Sequence, residues 1–291
     1  MLYTIENDRV RVTLDSARGG ELTSIYGKVT DCEYLWQGDP AYWAGQAPVL
    51  FPICGRLLDG YYTYGGKRYE MGIHGFLRKM ALTVTAQTAD SITLFATDTA
   101  ETREMYPFSF RFLLTYSLSG DSLTVSHRVE NTGDKELIFA LGAHPGFRVP
   151  MGNDKCEDYA LTFADHVTEL TQVVFKNNFT SRAWESYPLP DHKIPYSNEL
   201  FDAGSLFFAN MGDTVTLGSP VSGRFVRLDF VGFPILGLWH AEDTGAPFLC
   251  IEPWESIPTY HDKVDALETK AMMNRLVPGS TYEKAYTITV G

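Results

Sequence analysis

Several features that mark common functional classes are missing from this chain. Only four cysteines occur in 291 residues, Cys32, Cys54, Cys156 and Cys250, and they are widely scattered with no CxxC pair. That spacing argues against a structural zinc cluster or a disulfide framework and points to reduced thiols in the cytosol. Positive charge is short as well: 24 Lys and Arg stand against 36 Asp and Glu, a formal net charge of -12. No basic field is available to attract phosphate backbones or anionic lipid, so neither nucleic acid nor a membrane surface is an expected partner. The longest apolar stretch, Phe230 to Trp239, is broken by glycine and proline and falls far short of the roughly 20 residues that span a bilayer. Residues Met1 to Arg9 show no charged segment followed by an apolar one, so no secretion signal is expected and the location read from the chain is cytoplasmic. There is no P-loop, no GxGxxG after a strand and no GxSxG elbow, which removes the common nucleotide and serine-hydrolase readings.

What is present is apolar and aromatic: 44% hydrophobic and 13% aromatic residues easily supply a core. Period-two, β-branched or aromatic runs recur at Arg9–Leu14, Ala81–Thr85, Ser91–Ala96, Phe110–Leu118, Ser122–Glu130, Glu136–Leu141, Thr214–Leu217, Phe225–Phe230, Ile235–Trp239, Pro247–Ile251 and Tyr282–Val290. Turn signals between them, such as Ser119-Gly120-Asp121 and Asn131-Thr132-Gly133-Asp134, suit antiparallel hairpins. Helical periodicity is short, with Thr102–Tyr106 and Asp262–Thr269 the best candidates. The proline-bearing stretch Asn153–Asn198 reads as loop-rich, yet it does not resemble a flexible tether. The expected architecture is one all-β domain over residues 1–291, with two large antiparallel sheets packed face to face.

Two ionisable residues stand alone among apolar and conformationally special neighbours. His144 lies in Gly142-Ala143-His144-Pro145-Gly146-Phe147 after an apolar run, and Glu252 in Cys250-Ile251-Glu252-Pro253-Trp254 after another. Burying either without a partner is costly, so each is expected to end a core strand at the mouth of a pocket. Taken singly, His144 also fits a buried histidine bonded to a backbone carbonyl, and Glu252 a rim carboxylate paired with an arginine. Burial beside Trp254 would raise the Glu252 pKa toward the range of a general base, and a nearby guanidinium would lower it. Arg56 closes the apolar run Phe51-Pro52-Ile53-Cys54-Gly55, and Gly72-Ile73-His74-Gly75-Phe76-Leu77-Arg78 adds a histidine between glycines and a second arginine. Arg78 and Lys79 also fit an exposed charged corner. Trp36, Trp43, Phe76, Phe147, Trp239 and Trp254 flank these points; aromatic faces beside His, Arg and Glu suit a sugar better than an apolar ligand. His240 and Asp243 lack a further histidine at ligand spacing, and no metal site is expected. Tyr260-His261-Asp262 reads as a solvated loop.

The ordered set Arg56, His74-Gly75-Phe76, Gly142-Ala143-His144-Pro145 and Ile251-Glu252-Pro253-Trp254 resembles the aldose 1-epimerase (galactose mutarotase) family, in particular its LacX-like branch, along nearly the whole chain. The resemblance implies a β-supersandwich with the site on a concave sheet face. It makes His144 the general acid at the ring oxygen of a cyclic sugar and Glu252 the general base at the anomeric hydroxyl, with Arg56, His74 and Trp254 around the sugar. Opening to the free aldehyde, rotation about C1–C2 and closure exchange the anomers without redox change, so no cofactor is implied. The family's hydroxyl-binding aspartate falls to Asp202 or to Asp243. The run His74 to Arg78 is similar to the hexose-6-phosphate epimerases, which leaves Arg56, Arg78 and Lys79 as candidate phosphate ligands. A non-catalytic sugar-binding protein of the same fold stays open, and the assembly expected is a monomer or homodimer.

Overall fold

The computed structural model describes residues 1–242 and 244–291. It is built from two large antiparallel sheets and three smaller ones. One large sheet has nine strands and contains the hairpin Phe110–Ser119 and Ser122–Asn131. Along Phe110–Ser119 the buried positions are Phe110, Phe112, Leu114, Tyr116 and Leu118, the alternation that a strand with one covered face requires.

The other large sheet carries the candidate site. Its strands in chain order are β1 (Val49–Leu50), β2 (Gly142–Ala143), β3 (Gly146–Arg148), β4 (Glu169–Lys176), β5 (Phe179–Pro188), β6 (Leu206–Ala209), β7 (Ile235–Trp239) and β8 (Phe248–Trp254). Their spatial order is β5-β4-β6-β7-β8-β2-β1, with β3 also against β8, and every one of these pairings is antiparallel. All seven residues of β8 are buried, because both of its faces are covered. Leu249 and Ile251 point to the large shared core that includes Phe110, Phe112 and Leu114, whereas Phe248, Cys250 and Trp254 belong to two smaller clusters on the opposite face. Period two puts Glu252 on that opposite face.

Four expectations need correction. The strand expected to stop at Ile251 runs on to Trp254, so Glu252 lies inside it. Ile251 and Glu255 donate N–H to Pro145 and Leu141, and Pro253 between them forgoes one such bond without ending the strand. The stretch Asn153–Asn198 contains four strands, Ala160–Phe163, β4, β5 and Lys193–Pro195. Pro188 and Pro195 end strands there, Pro190 opens a 3-10 turn, and β5 is a largely exposed edge strand, so apolar alternation is absent. Within Asp262–Thr269 only Leu267–Thr269 is helical, a single 3-10 turn, because Ala266 is extended and bridges to Thr63. Glu136–Leu141 is not one strand: Leu137–Phe139 pairs with Asn274–Leu276, and the chain then crosses to the site sheet as β2. The short helix expected near Thr102 is present as Ala100–Met105, closed by a capping box between Thr99 and Thr102. The four cysteines are unpaired. Among the described residues no helix is long and apolar enough to cross a membrane.

Candidate active site

The site follows from one register. β2 meets β8 at Gly142 opposite Trp254, and β3 meets it at Gly146 opposite Cys250. These two pairings continue a single register across the interval between β2 and β3, which sets His144 directly opposite Glu252 on the same face. Their side chains meet, with His144 Nε2 3.3 Å from Glu252 Oε2, and the residues are 8% and 1% exposed. The two glycines of the motif stand on either side of the imidazole on that face. A Cβ at Gly142 would lie 2.8 Å from Cys54 Sγ, and one at Gly146 3.0 Å from the Trp43 ring, so any side chain there would invade the packing that holds the histidine. Trp43 stacks on His144 at 5.0 Å between ring centroids, and Trp239 meets it edge-on at 5.6 Å. Trp43 sits in a pinned loop: the Trp36 indole donates to its carbonyl, and Gln46 and Ala47 donate backbone N–H groups to the buried Glu21 carboxylate.

Burial sets the charge state of the pair. It pushes the Glu252 carboxyl well above the usual carboxylate range, and the Trp254 indole beside it opposes this without reaching hydrogen-bond geometry. Burial likewise pushes the His144 imidazole down to about 3, and Arg78 adds to the effect. Both shifts favour the uncharged pair, with the proton on Glu252 and a free lone pair on His144. His144 Nδ1 and Glu252 Oε2 have no hydrogen-bond partner among the described residues.

His74 stands edge-on to both His144 and Trp254, at 5.3 and 5.4 Å. The Gly55 N–H donates to its Nδ1 at 3.1 Å, which leaves the proton on Nε2. Burial, then His144, Arg78 and Arg56, hold its pKa well below the ordinary histidine value, so it is a neutral donor in a set orientation. The local chain is tightly constrained. His74 takes φ 63, and Gly75 at φ 74 comes so close to Phe51 that a Cβ would lie 2.1 Å from the Phe51 carbonyl oxygen.

A cavity of about 860 Å³ opens over this face, and seven of the residues singled out in the sequence line it: Arg56, His74, Arg78, His144, Asp202, Glu252 and Trp254. Arg56 and Asp202 are exposed on its rim, and Asp202 follows the 3-10 turn Asn198–Phe201. Arg78 is half-buried, its pKa lowered by burial, and its Nε has no partner among the described residues. Lys79 is exposed and does not line the cavity, so the candidate phosphate-binding cluster loses that member. Asp243 lies outside the described residues. His240 Nε2 lies 3.3 Å from the Asn198 carbonyl oxygen, a structural contact. Of the flanking aromatics, Trp43, Trp239 and Trp254 line the cavity, whereas Phe76 and Phe147 lie in the large core and Trp36 packs against Phe248.

Sequence reading passed over Cys250, Phe175 and Phe207. Cys250 is two residues from Glu252 on one strand, a period-two signal that was available. Among the described residues, His144, Cys250 and Glu252 form the one set with potential metal-ligating atoms in reach of each other, one atom each, all within 4.8 Å. Phe207 and Phe175 come from β6 and β4, whose place beside β7 and β8 is not a local property.

Comparison with known proteins gives the family and the fold. Residues 1–196 match the family model described as aldose 1-epimerase. The chain is 32% identical to the chromosomal protein LacX of Lactococcus lactis subsp. lactis, covering 100% of this chain and 99% of that protein. Its structure superposes with a TM-score of 0.95 on a galactose mutarotase related enzyme from Lactobacillus acidophilus, at 34% identity over 100% of this chain and 97% of the other. A galactose mutarotase-like protein from Lactobacillus casei ATCC 334 gives a TM-score of 0.93 at 30% identity, with 100% of both chains covered. With a supersandwich of antiparallel sheets, the motif residues gathered in one cavity and relatives matched end to end, the chain belongs to the aldose 1-epimerase family.

Proposed function

We propose that this protein is an aldose 1-epimerase that interconverts the α and β anomers of a hexose, with His144 as general acid and Glu252 as general base. The observation that carries the reading is the buried contact of 3.3 Å between His144 Nε2 and Glu252 Oε2. In a cyclic hemiacetal the ring oxygen and the anomeric hydroxyl are both bonded to C1, so the groups that serve them must stand side by side. Glycoside hydrolases instead hold two carboxyl groups about 5 to 9.5 Å apart. Here a single carboxyl group faces an imidazole.

The uncharged pair carries one transferable proton. Moved from Glu252 to His144, it yields the imidazolium and carboxylate that the reaction needs, once the substrate's hydroxyl groups replace part of the missing solvation. His144 then protonates the ring oxygen while Glu252 removes the proton of the anomeric hydroxyl; the C1–ring oxygen bond breaks and C1 becomes a carbonyl. Rotation about C1–C2 and attack of the released hydroxyl on the other carbonyl face reverse both transfers. No electron changes hands and no group is lost. On this reading the His74 Nε2–H, Arg56 and Asp202 hold hydroxyl groups, and Trp254 meets the C–H face of the ring. Residues 1–291 act as one domain on this reading, supported by a core cluster running from Ile5 to Val290.

Polarimetry on freshly dissolved α-D-glucose and α-D-galactose tests the proposal. Equilibration should run well ahead of buffer, and His144→Gln should cost on the order of 10² to 10⁴ in kcat with the fold retained. No acceleration for any aldose would leave a sugar-binding protein. A second reading, a hexose 6-phosphate as substrate, is favoured by the unpartnered Arg78 Nε at the cavity wall. It requires a preference for the phosphorylated sugar that Arg78→Ala removes.

A further inference from the structure

The cavity extends well past the acid–base pair. Glu252 on β8 pairs with Gly237 on β7, and Gly237 pairs with Phe207 on β6. β6 in turn pairs with β4, which carries Phe175. Gly237 has no side chain, and a Cβ there would lie 2.7 Å from the Phe207 ring, so the absence of one lets that ring lie over the strand toward the site. The result is a continuous row of rings: Trp254 to Phe207 at 4.7 Å and Phe207 to Phe175 at 4.8 Å between centroids. The row runs across the strands, away from Arg78. It ends at Asn177 and Asn178 in the turn between β4 and β5, and Ser205 lines the same stretch.

The two centroid steps carry the row up to about 9.5 Å from Trp254 to Phe175. One pyranose ring held at His144 and Glu252 does not reach Phe175. A volume of about 860 Å³ lies in the upper part of the roughly 300–1,000 Å³ range of pockets for drug-sized ligands, well above what a single hexose needs. Aromatic faces followed by carboxamide and hydroxyl groups are the chemistry that meets a sugar, whose C–H faces lie on rings and whose hydroxyls take polar partners.

We propose that Phe207, Phe175 and Asn177 form a second sugar subsite, and that the preferred substrate is a reducing disaccharide whose free anomeric end lies at His144 and Glu252. This rests on the epimerase reading and names its substrate class. The second ring takes no part in the proton transfers.

The test is the mutarotation of glucose and galactose against maltose, cellobiose and lactose, with wild type, Phe175→Ala and Asn177→Gly. Asn177 has φ 54 and lies in an exposed turn, so glycine removes the carboxamide without straining the backbone. At least one disaccharide should exceed its parent hexose in kcat/KM. Phe175→Ala should lower the disaccharide-to-hexose ratio roughly tenfold, the effect of losing one ring contact, and Asn177→Gly should lower it in the same direction. Equal kcat/KM for both sugar classes, or variants that depress both alike, overturns the subsite while leaving the epimerase reading intact. If no sugar is turned over, the epimerase reading falls, and calorimetric titration of Glu252→Gln with maltose, cellobiose, lactose and glucose decides the subsite separately. Tighter disaccharide binding that Phe175→Ala abolishes upholds it; equal or absent binding overturns it.

Discussion

Replacing Glu252 by glutamine tests the charge state of the pair through folding rather than turnover. Glu252 is 1% exposed, burial drives its carboxyl toward the neutral form, and the one ring facing it is driven toward neutrality as well, with His144 down to about 3. Glutamine matches the protonated carboxyl in shape and charge. The substitution should therefore cost less than about 1 kcal/mol, under roughly 2 °C in Tm for a chain of this size. If the pair were an ion pair in the free protein, removing one partner would cost about 3–5 kcal/mol, or roughly 6–10 °C. Scanning calorimetry at pH 7 separates the two, and polarimetry on the same samples should show kcat reduced by about 10² to 10⁴. A Tm loss near 6 °C or more refutes the neutral pair; turnover within tenfold of wild type refutes Glu252 as the base.

Two further substitutions test the fold, one in the core of the nine-stranded sheet and one beside the site. His127 is buried between Phe112 and Tyr286, neither ring nitrogen has a hydrogen-bond partner among the described residues, and burial pushes its pKa down to about 4. The unfolded chain, with a histidine pKa of about 6.5, binds this proton more readily. The stability His127 contributes as a neutral ring is complete above about pH 6.5 and is lost as pH falls toward 4, about 3 kcal/mol in all. His127→Phe should flatten the fall in unfolding free energy between those pH values, measured by urea titration; parallel curves for variant and wild type contradict this. At Gly75, alanine would face the Phe51 carbonyl oxygen at 2.1 Å in a left-handed conformation. Gly75→Ala should cost at least about 2 kcal/mol, or roughly 4 °C in Tm, and displace His74; an unchanged Tm would show that the strand can yield.

Most strands that the sequence made legible have one buried and one wetter face, as in Phe110–Ser119, where alternation is written into the residues themselves, whereas β7 and β8 were legible as short apolar runs buried on both faces. Among those it missed are the mostly exposed edge strand β5, its neighbours β4 and β6, the segment Glu21–Gly27, the short crossing segments near His144, and β8 beyond Ile251, where a proline suggested an end that neighbouring strands overrode. The expected helix after Asp262 gave way because Ala266 bridges to Thr63, a contact that no local propensity records.

Residue type and local order determined much by themselves: an antiparallel all-β chain, and a family motif set in which one histidine, one glutamate and flanking glycines stand out from apolar surroundings. Tertiary structure decided the rest. Register across four separated segments placed His144 opposite Glu252 and Gly237 beside Phe207, and no single segment encodes a register that depends on its partner strand. Charge state followed from burial, which exists only once the sheets have closed over the site, so the same two side chains that titrate normally in an unfolded chain are held neutral and in contact here.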